Sequence, residues 1–125
     1  MKPIEHDLEA WEDTTFTRTF VWKDNAEQPL NIEAYSIYFQ VRSRIPNYSS
    51  TTFNPFDPNT TLDASTLNGK IIKSSDPGTF TLHLSADDLT IDPKTYYYDL
   101  LAVCEDNHYR LIYGKFIVNP VVTKL

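Results

Sequence analysis

The strongest constraint in this sequence is a period of two. Thr79 to Ser85 alternates strictly, with Phe80, Leu82 and Leu84 on one face. Ser36 to Arg42 does the same, placing Ile37, Phe39 and Val41 inward and Tyr38, Gln40 and Arg42 outward. Successive side chains of a pleated strand point to opposite sides, so each run predicts a strand with one packed face and one wet face. The β-branched and aromatic residues concentrated there suit a half-buried pleated surface. Further strands are expected at Leu8 to Trp11, Thr15 to Trp22, Thr51 to Asn54, Asn68 to Ser74, Thr95 to Glu105 and Tyr109 to Asn119. Glu105-Asp106-Asn107-His108 reads as the connection of a hairpin, and Asp76-Pro77-Gly78 as a second turn. Helix is confined to single turns at Leu30 to Ala34 and Ala86 to Leu89, too short to be stable alone.

Seven or eight short strands separated by turn signals predict an all-β fold, a single antiparallel β-sandwich, with a closed barrel as the alternative architecture. The 125 residues suit one domain, 1–125, with a core over about 8–123 and one long loop over about 45–67. In the hairpin, Tyr96, Tyr98, Leu100, Ala102 and Cys104 share one face, and Tyr97, Asp99, Leu101 and Val103 the other. Both faces carry apolar residues, so this strand is expected to be central and partly covered on its second side. Tyr98 is placed to act as a tyrosine corner, its hydroxyl bonding back to a loop carbonyl. Ile112, Phe116 and Val118 join the core, and Gly114 marks a bulge or a close backbone approach.

Charge and composition exclude several functions. Lys and Arg number 11 against 17 Asp and Glu, a net charge of −6, where a nucleic-acid surface needs clustered positive charge. No apolar run is long enough to span a bilayer. The first residues carry Glu5, Asp7, Glu9, Glu12 and Asp13 where a secretion signal needs an apolar core. A single cysteine, Cys104, can neither close a disulfide nor build a cysteine zinc site, and reads as a small buried hydrophobe.

Candidate chemistry is thin. His6, His83 and His108 are scattered, and His83 belongs to a wet face, so no metal site is expected. Asp57 to Asp63 places oxygens at alternate positions, but lacks the glycine and closing glutamate of a calcium loop; Asp87, Asp88 and Asp92 form another acidic loop. No nucleophile elbow or phosphate-cradling glycine loop is present, so neither catalysis nor a cofactor is expected. Asn47 and Asn59 open glycosylation sequons, which without a secretion signal mark only loop composition. Arg18 and Asp99 each interrupt an apolar strand; either they pair across neighbouring strands or each faces water.

Aromatic residues exceed what a small core needs. Tyr38, Tyr97, Tyr109 and Tyr113 fall on outward faces or faces that need cover, and the long loop holds Tyr48, Phe53 and Phe56. Tyrosines exposed on strands and loops anchor protein interfaces, and a loop of that length in a compact domain serves a function or a partner. Tyr48, Phe53, Phe56, Tyr97 and Tyr109 are therefore the expected interface residues. The same aromatics also stack on sugars, so a carbohydrate-binding or host-adhesion module is the alternative. Trp11 and Trp22, both in expected strands, offer it no platform.

Asp13 to Asp24, Pro29 to Tyr35, Phe39 to Arg42, Gly78 to Leu82, Thr95 to Leu100 and Gly114 to Thr123 carry a resemblance. Through these segments the chain resembles the small immunoglobulin-like β-sandwich proteins encoded among bacteriophage structural genes. It is similar to the amino-terminal domain of siphophage baseplate upper proteins. It departs from them in carrying Glu12-Asp13 where a glycine commonly precedes the first long strand, and in a longer loop between Arg42 and Gly69. The resemblance implies an immunoglobulin-like fold and a virion component of the tail, baseplate, neck or capsid surface. Such a component is assembled in the host cytoplasm, docks to other virion proteins and is present as a homo-oligomer or in many symmetric copies, with no nucleic acid or membrane as partner.

Overall fold

The computed structural model describes residues 3–43 and 61–124. The expected strand at Thr51 to Asn54 lies outside them. The described chain is all-β, with nine strands: β1 (Ile4–Glu5), β2 (Leu8–Trp11), β3 (Phe16–Val21), β4 (Ser36–Arg42), β5 (Leu62–Ser65), β6 (Ile71–Lys73), β7 (Thr79–Leu84), β8 (Thr95–Cys104) and β9 (Asn107–Asn119). They form two mostly antiparallel sheets in a sandwich-like arrangement. The larger runs β1-β9-β8-β4-β5, with β2 also on β9, and the smaller runs β3-β7-β6.

The period-two faces of β4 and β7 pack as their sequences require: Ile37, Phe39, Val41, Leu82 and Leu84 are wholly buried, and Phe80 nearly so. Phe116 of β9 sits at the centre, edge-on to Phe16 and Phe39 at centroid distances of 5.7 and 5.8 Å. The second face of β8 is partly covered, since Leu101 is buried there. Tyr38, expected to face water, points to that same outer face but is only 9% exposed.

Four features differ from the sequence reading. First, β1 and β2 run parallel to β9, not antiparallel. They reach that edge as a leading segment rather than through a hairpin, so nothing forces a reversal of direction. Second, β5 lies inside the expected loop over 45–67; four residues of mixed polarity carry no clear alternation. Third, the β8–β9 turn is tighter than expected. Asn107 and His108 already pair in the ladder, and Glu105 takes a positive φ of 55°. Fourth, the register slips between Leu100 and Leu101: Leu100 faces Ile112 while Leu101 faces Arg110. Leu111 is the extra residue. The bulge sends Arg110 outward and turns Tyr109 inward beside Ala102, the reverse of the uninterrupted alternation.

Side chains secure the turns. Gly78 closes the Asp76–Gly78 turn at φ 72°, and its carbonyl accepts from Trp22 N at 2.9 Å. The turn at Ala86–Leu89 is capped reciprocally: Ser85 N donates to Asp88 Oδ2 at 2.9 Å, and Asp88 N to Ser85 Oγ at 3.1 Å. Burial would push the Asp88 carboxyl up, but the Lys70 ammonium paired with it and the Ser85 amide outweigh that and hold it below its ordinary value. Around Leu30–Ala34, Lys73 Nζ gathers the carbonyls of Ile32, Glu33 and Tyr35 at 3.3, 3.0 and 2.8 Å.

Tyr98 bonds to a loop carbonyl as expected, but the local corner bond, to a carbonyl a few residues upstream, is made by Tyr96. Tyr96 donates its hydroxyl to the Asp92 carbonyl, four residues upstream, at 2.7 Å. Tyr98 donates to the carbonyl of His6, in the short link between β1 and β2 and distant in sequence. Tyr96 is 3% exposed, and Tyr96→Phe removes its bond to the Asp92 carbonyl. A loss of about 1 kcal/mol is expected in urea unfolding, the usual net worth of such a bond.

Candidate functional site

The outer face of the larger sheet carries Trp11 and Tyr113, two of the exposed aromatic side chains among the described residues, together with several charged ones. Strand register builds it in rows. Asp63, Gln40, Asp99, Tyr113 and Glu5 align across five strands. Beside this row stand Arg42, Tyr97 and Lys115 on one flank and Tyr38, Leu101 and Arg110 on the other. Further along β9 come Ile117 opposite Glu9 and Asn119 opposite Trp11. The polar groups are tied together: Arg110 Nε lies 3.4 Å from Asp99 Oδ2 and Arg42 Nη2 3.1 Å from Gln40 Oε1. Tyr113 donates to Glu5 Oε2 at 3.2 Å, and Asn119 Nδ2 to Glu9 Oε1 at 2.7 Å. Trp11 is 50% exposed and Tyr113 42%, with Tyr97 and Ile117 half-buried between them.

Two carboxylates in the central row are held above their ordinary pKa. Burial is the main cause for both; for Asp63 a bond from Gln40, and for Asp99 the Arg110 and Arg42 charges, oppose it without cancelling it. Asp63 Oδ1 is buried and has no hydrogen-bond partner among the described residues. The folded chain therefore binds protons at these sites more tightly than the unfolded chain. Their ionisation costs stability at neutral pH, and that cost vanishes as pH falls through the folded values toward the unfolded ones. Asp63→Asn and Asp99→Asn are expected to raise the melting temperature at about pH 7, with the gain shrinking near pH 4, where the unfolded carboxylates also protonate. Paired thermal melts at the two pH values test this; a loss of stability at neutral pH refutes it.

Asp99 does not meet Arg18. Arg18 belongs to the smaller sheet, opposite Leu82, and its guanidinium lies over the Phe16 ring at 5.9 Å. Asp99 points outward from the larger sheet and pairs with Arg110, so the two lie on different layers and the expected pair does not form; nor does Asp99 simply face water, since it is partly buried beside that guanidinium.

The expected interface residues are not brought together. Tyr97 lies on the outer face. Tyr109 closes one end of the sandwich in an aromatic cluster, with centroids 6.0 Å from Trp22 and 6.1 Å from Tyr35. Tyr48, Phe53 and Phe56 lie outside the described residues. Trp11 differs from the expectation that its strand offers no platform: the alternation of Leu8-Glu9-Ala10-Trp11 buries Leu8 and Ala10 and turns Glu9 and Trp11 out. Trp22 is 7% exposed. Cys104 is half-buried at the end of β8 rather than enclosed in the core. His83 faces outward as expected, with Nδ1 2.9 Å from Thr17 Oγ1.

Two concavities are open and shallow. A groove of about 380 Å³ runs between Ile4 and Ile112 of the larger sheet and Phe20 and Val21 of the smaller. A cleft of about 210 Å³ lies beside the Asp76–Gly78 turn. Among the described residues, no three His, Cys, Asp or Glu side chains come together to hold a metal ion, and no helix is long and apolar enough to cross a membrane. No protein-family model matches the sequence, and no curated protein matches it.

Proposed function

We propose that this chain is an immunoglobulin-like docking tile of a bacteriophage particle, acting through its surface and not through catalysis. The observation that carries the docking role is the outer face of the larger sheet. It sets Tyr97 and Tyr113 among Glu5, Arg42, Arg110 and Lys115, the aromatic-and-arginine composition of binding hot spots with a charged rim.

The immunoglobulin-like part of the reading is supported by strand order. Taking β3, β7 and β6 as strands B, E and D, and β4, β8, β9 and β5 as C, F, G and C′, reproduces the division of strands between the two sheets of that fold. The leading segment lies on β9 rather than beside β3, a departure from the ABED sheet. Tyr96 bonding to Asp92 at the start of β8 has the geometry of the tyrosine corner. The phage setting rests on the sequence resemblance.

Regular copies on a particle make weak individual contacts sufficient, because each neighbour raises the effective concentration of the next. Mass spectrometry of virions purified from the encoding phage is expected to recover the chain in many copies, with cross-links from Lys115 to another virion protein. Particles that lack the chain sink the proposal.

A further inference from the structure

Trp11 is the most exposed aromatic side chain among the described residues, and its surroundings are unlike those of an apolar anchor. Its register partner on β9 is Asn119, and its neighbour on the same face of β2 is Glu9. The Asn119 carboxamide donates to the Glu9 carboxylate at 2.7 Å, so the two polar groups hold each other beside a half-exposed indole. Ile117, opposite Glu9, extends the surface without raising a wall.

We propose that Trp11, Glu9 and Asn119 form a saccharide platform that binds a neutral pyranose ring. The electron-rich face of the indole attracts the weakly positive C–H hydrogens on one face of a sugar ring, as it does the edge of another aromatic. Hydroxyls at the ring edge both donate and accept. The Glu9 carboxylate accepts from one, in a charge-assisted bond, and the Asn119 carboxamide serves another. Because the two side chains already restrain each other, little further ordering accompanies binding. The carboxylate selects against anionic sugars by like-charge repulsion. The open, flat surface admits a terminal or internal residue of a chain, so binding per site is weak and gains strength from repeated copies. A protein partner is less suited to this spot, since covering it would desolvate the Glu9 charge without a cation to meet it. This site goes beyond the docking reading and does not depend on it.

The test is an NMR titration of the isolated chain with neutral monosaccharides (glucose, galactose, mannose, N-acetylglucosamine) in one arm and their oligomers in the other. Saturable shifts are expected at the Trp11 indole N–H and the Asn119 side-chain amide. The oligomers bind more tightly if a glycan chain is the natural source. Trp11→Ala is expected to weaken binding about tenfold and Asn119→Ala about threefold, while Trp11→Phe retains part of it. Unchanged dispersion of the β4 and β7 amides certifies folding; if Trp11→Ala is not folded, Trp11→Phe and Asn119→Ala carry the comparison. The proposal is overturned if no sugar gives a saturable shift or if the shifts centre on Tyr35 and Tyr109. It is overturned equally if binding survives at full strength in the variants, or if the Trp11 signal broadens with protein concentration, which marks a second copy as the occupant.

Discussion

Gly114→Ala is expected to lower stability by about 3 kcal/mol, the upper end for inserting atoms into a packed site, and the melting temperature by about 10 °C. At Gly114 the leading segment crosses over β9 between β1 and β2. A Cβ there would lie 2.8 Å from the His6 carbonyl carbon and 2.9 Å from Asp7 Oδ1, and closer still to the His6 oxygen. Most of what it meets is backbone, which no rotamer change can move. The crossing is held from three directions: His6 N donates to the Tyr113 carbonyl at 2.8 Å, Lys115 N to Asp7 Oδ1 at 2.9 Å, and the Tyr98 hydroxyl to the His6 carbonyl. Relief requires lifting His6 away, which breaks at least the first and third of these bonds. The Tyr98 hydroxyl, whose pKa burial raises far above the ordinary tyrosine range, would then be left in the core without its acceptor. Hydrogen exchange should show the loss concentrated at His6 and Lys115. A midpoint equal to that of the parent would mean that the crossing adjusts freely and is not part of the folded framework.

Phe116→Ala is expected to cost about 4 kcal/mol, within the range for truncating a fully buried phenylalanine. Phe116 has no exposed surface, and three rings surround it: Phe16, Phe39 and Tyr98, the last at 6.5 Å. It faces Tyr96 on β8 and Leu8 on β2, so the cavity opens where three strands meet. The rigid ladder on both sides of β9 prevents collapse into the space, which keeps the cavity contribution near its full value. A fall in melting temperature of about 15 °C is expected by calorimetry, with Phe116→Leu losing less than half of that. A loss below about 1 kcal/mol would show that the two sheets do not share one core centred on this ring.

Much of the framework was legible because the two sheets are half-wet. A strand with one packed face writes its register into the sequence, as Ile37-Tyr38-Phe39-Gln40-Val41 and Phe80-Thr81-Leu82-His83-Leu84 do. Gly114 was readable as either a bulge or a close backbone approach, because a glycine inside so long a strand marks one or the other; the His6 backbone makes it the second. What escaped depends on contacts between distant segments. Tyr96 and Tyr98 share a face two residues apart, and which hydroxyl finds a nearby carbonyl is settled by where Asp92 and His6 are delivered. The extra residue Leu111 leaves no local mark, yet it moves Tyr109 from the outer face to the end of the core. Arg18 and Asp99 were linked by their shared awkwardness, but sheet membership separates them. Membership of a strand does not decide whether Trp11 can be a platform; the parity of Leu8 and Ala10 does, and it places the indole outside.

The parallel run of β2 along β9 has a mechanical consequence. Leu8 through Trp11 lie in register with Phe116 through Asn119, both strands pointing the same way. The leading end of one and the trailing end of the other therefore emerge from opposite ends of the ladder. Tension drawn between the two ends of the chain loads these rungs in shear, all together, whereas a hairpin pulled at its open end would part them one after another. A molecule pulled from both flanks of this ladder would resist extension at this seam first.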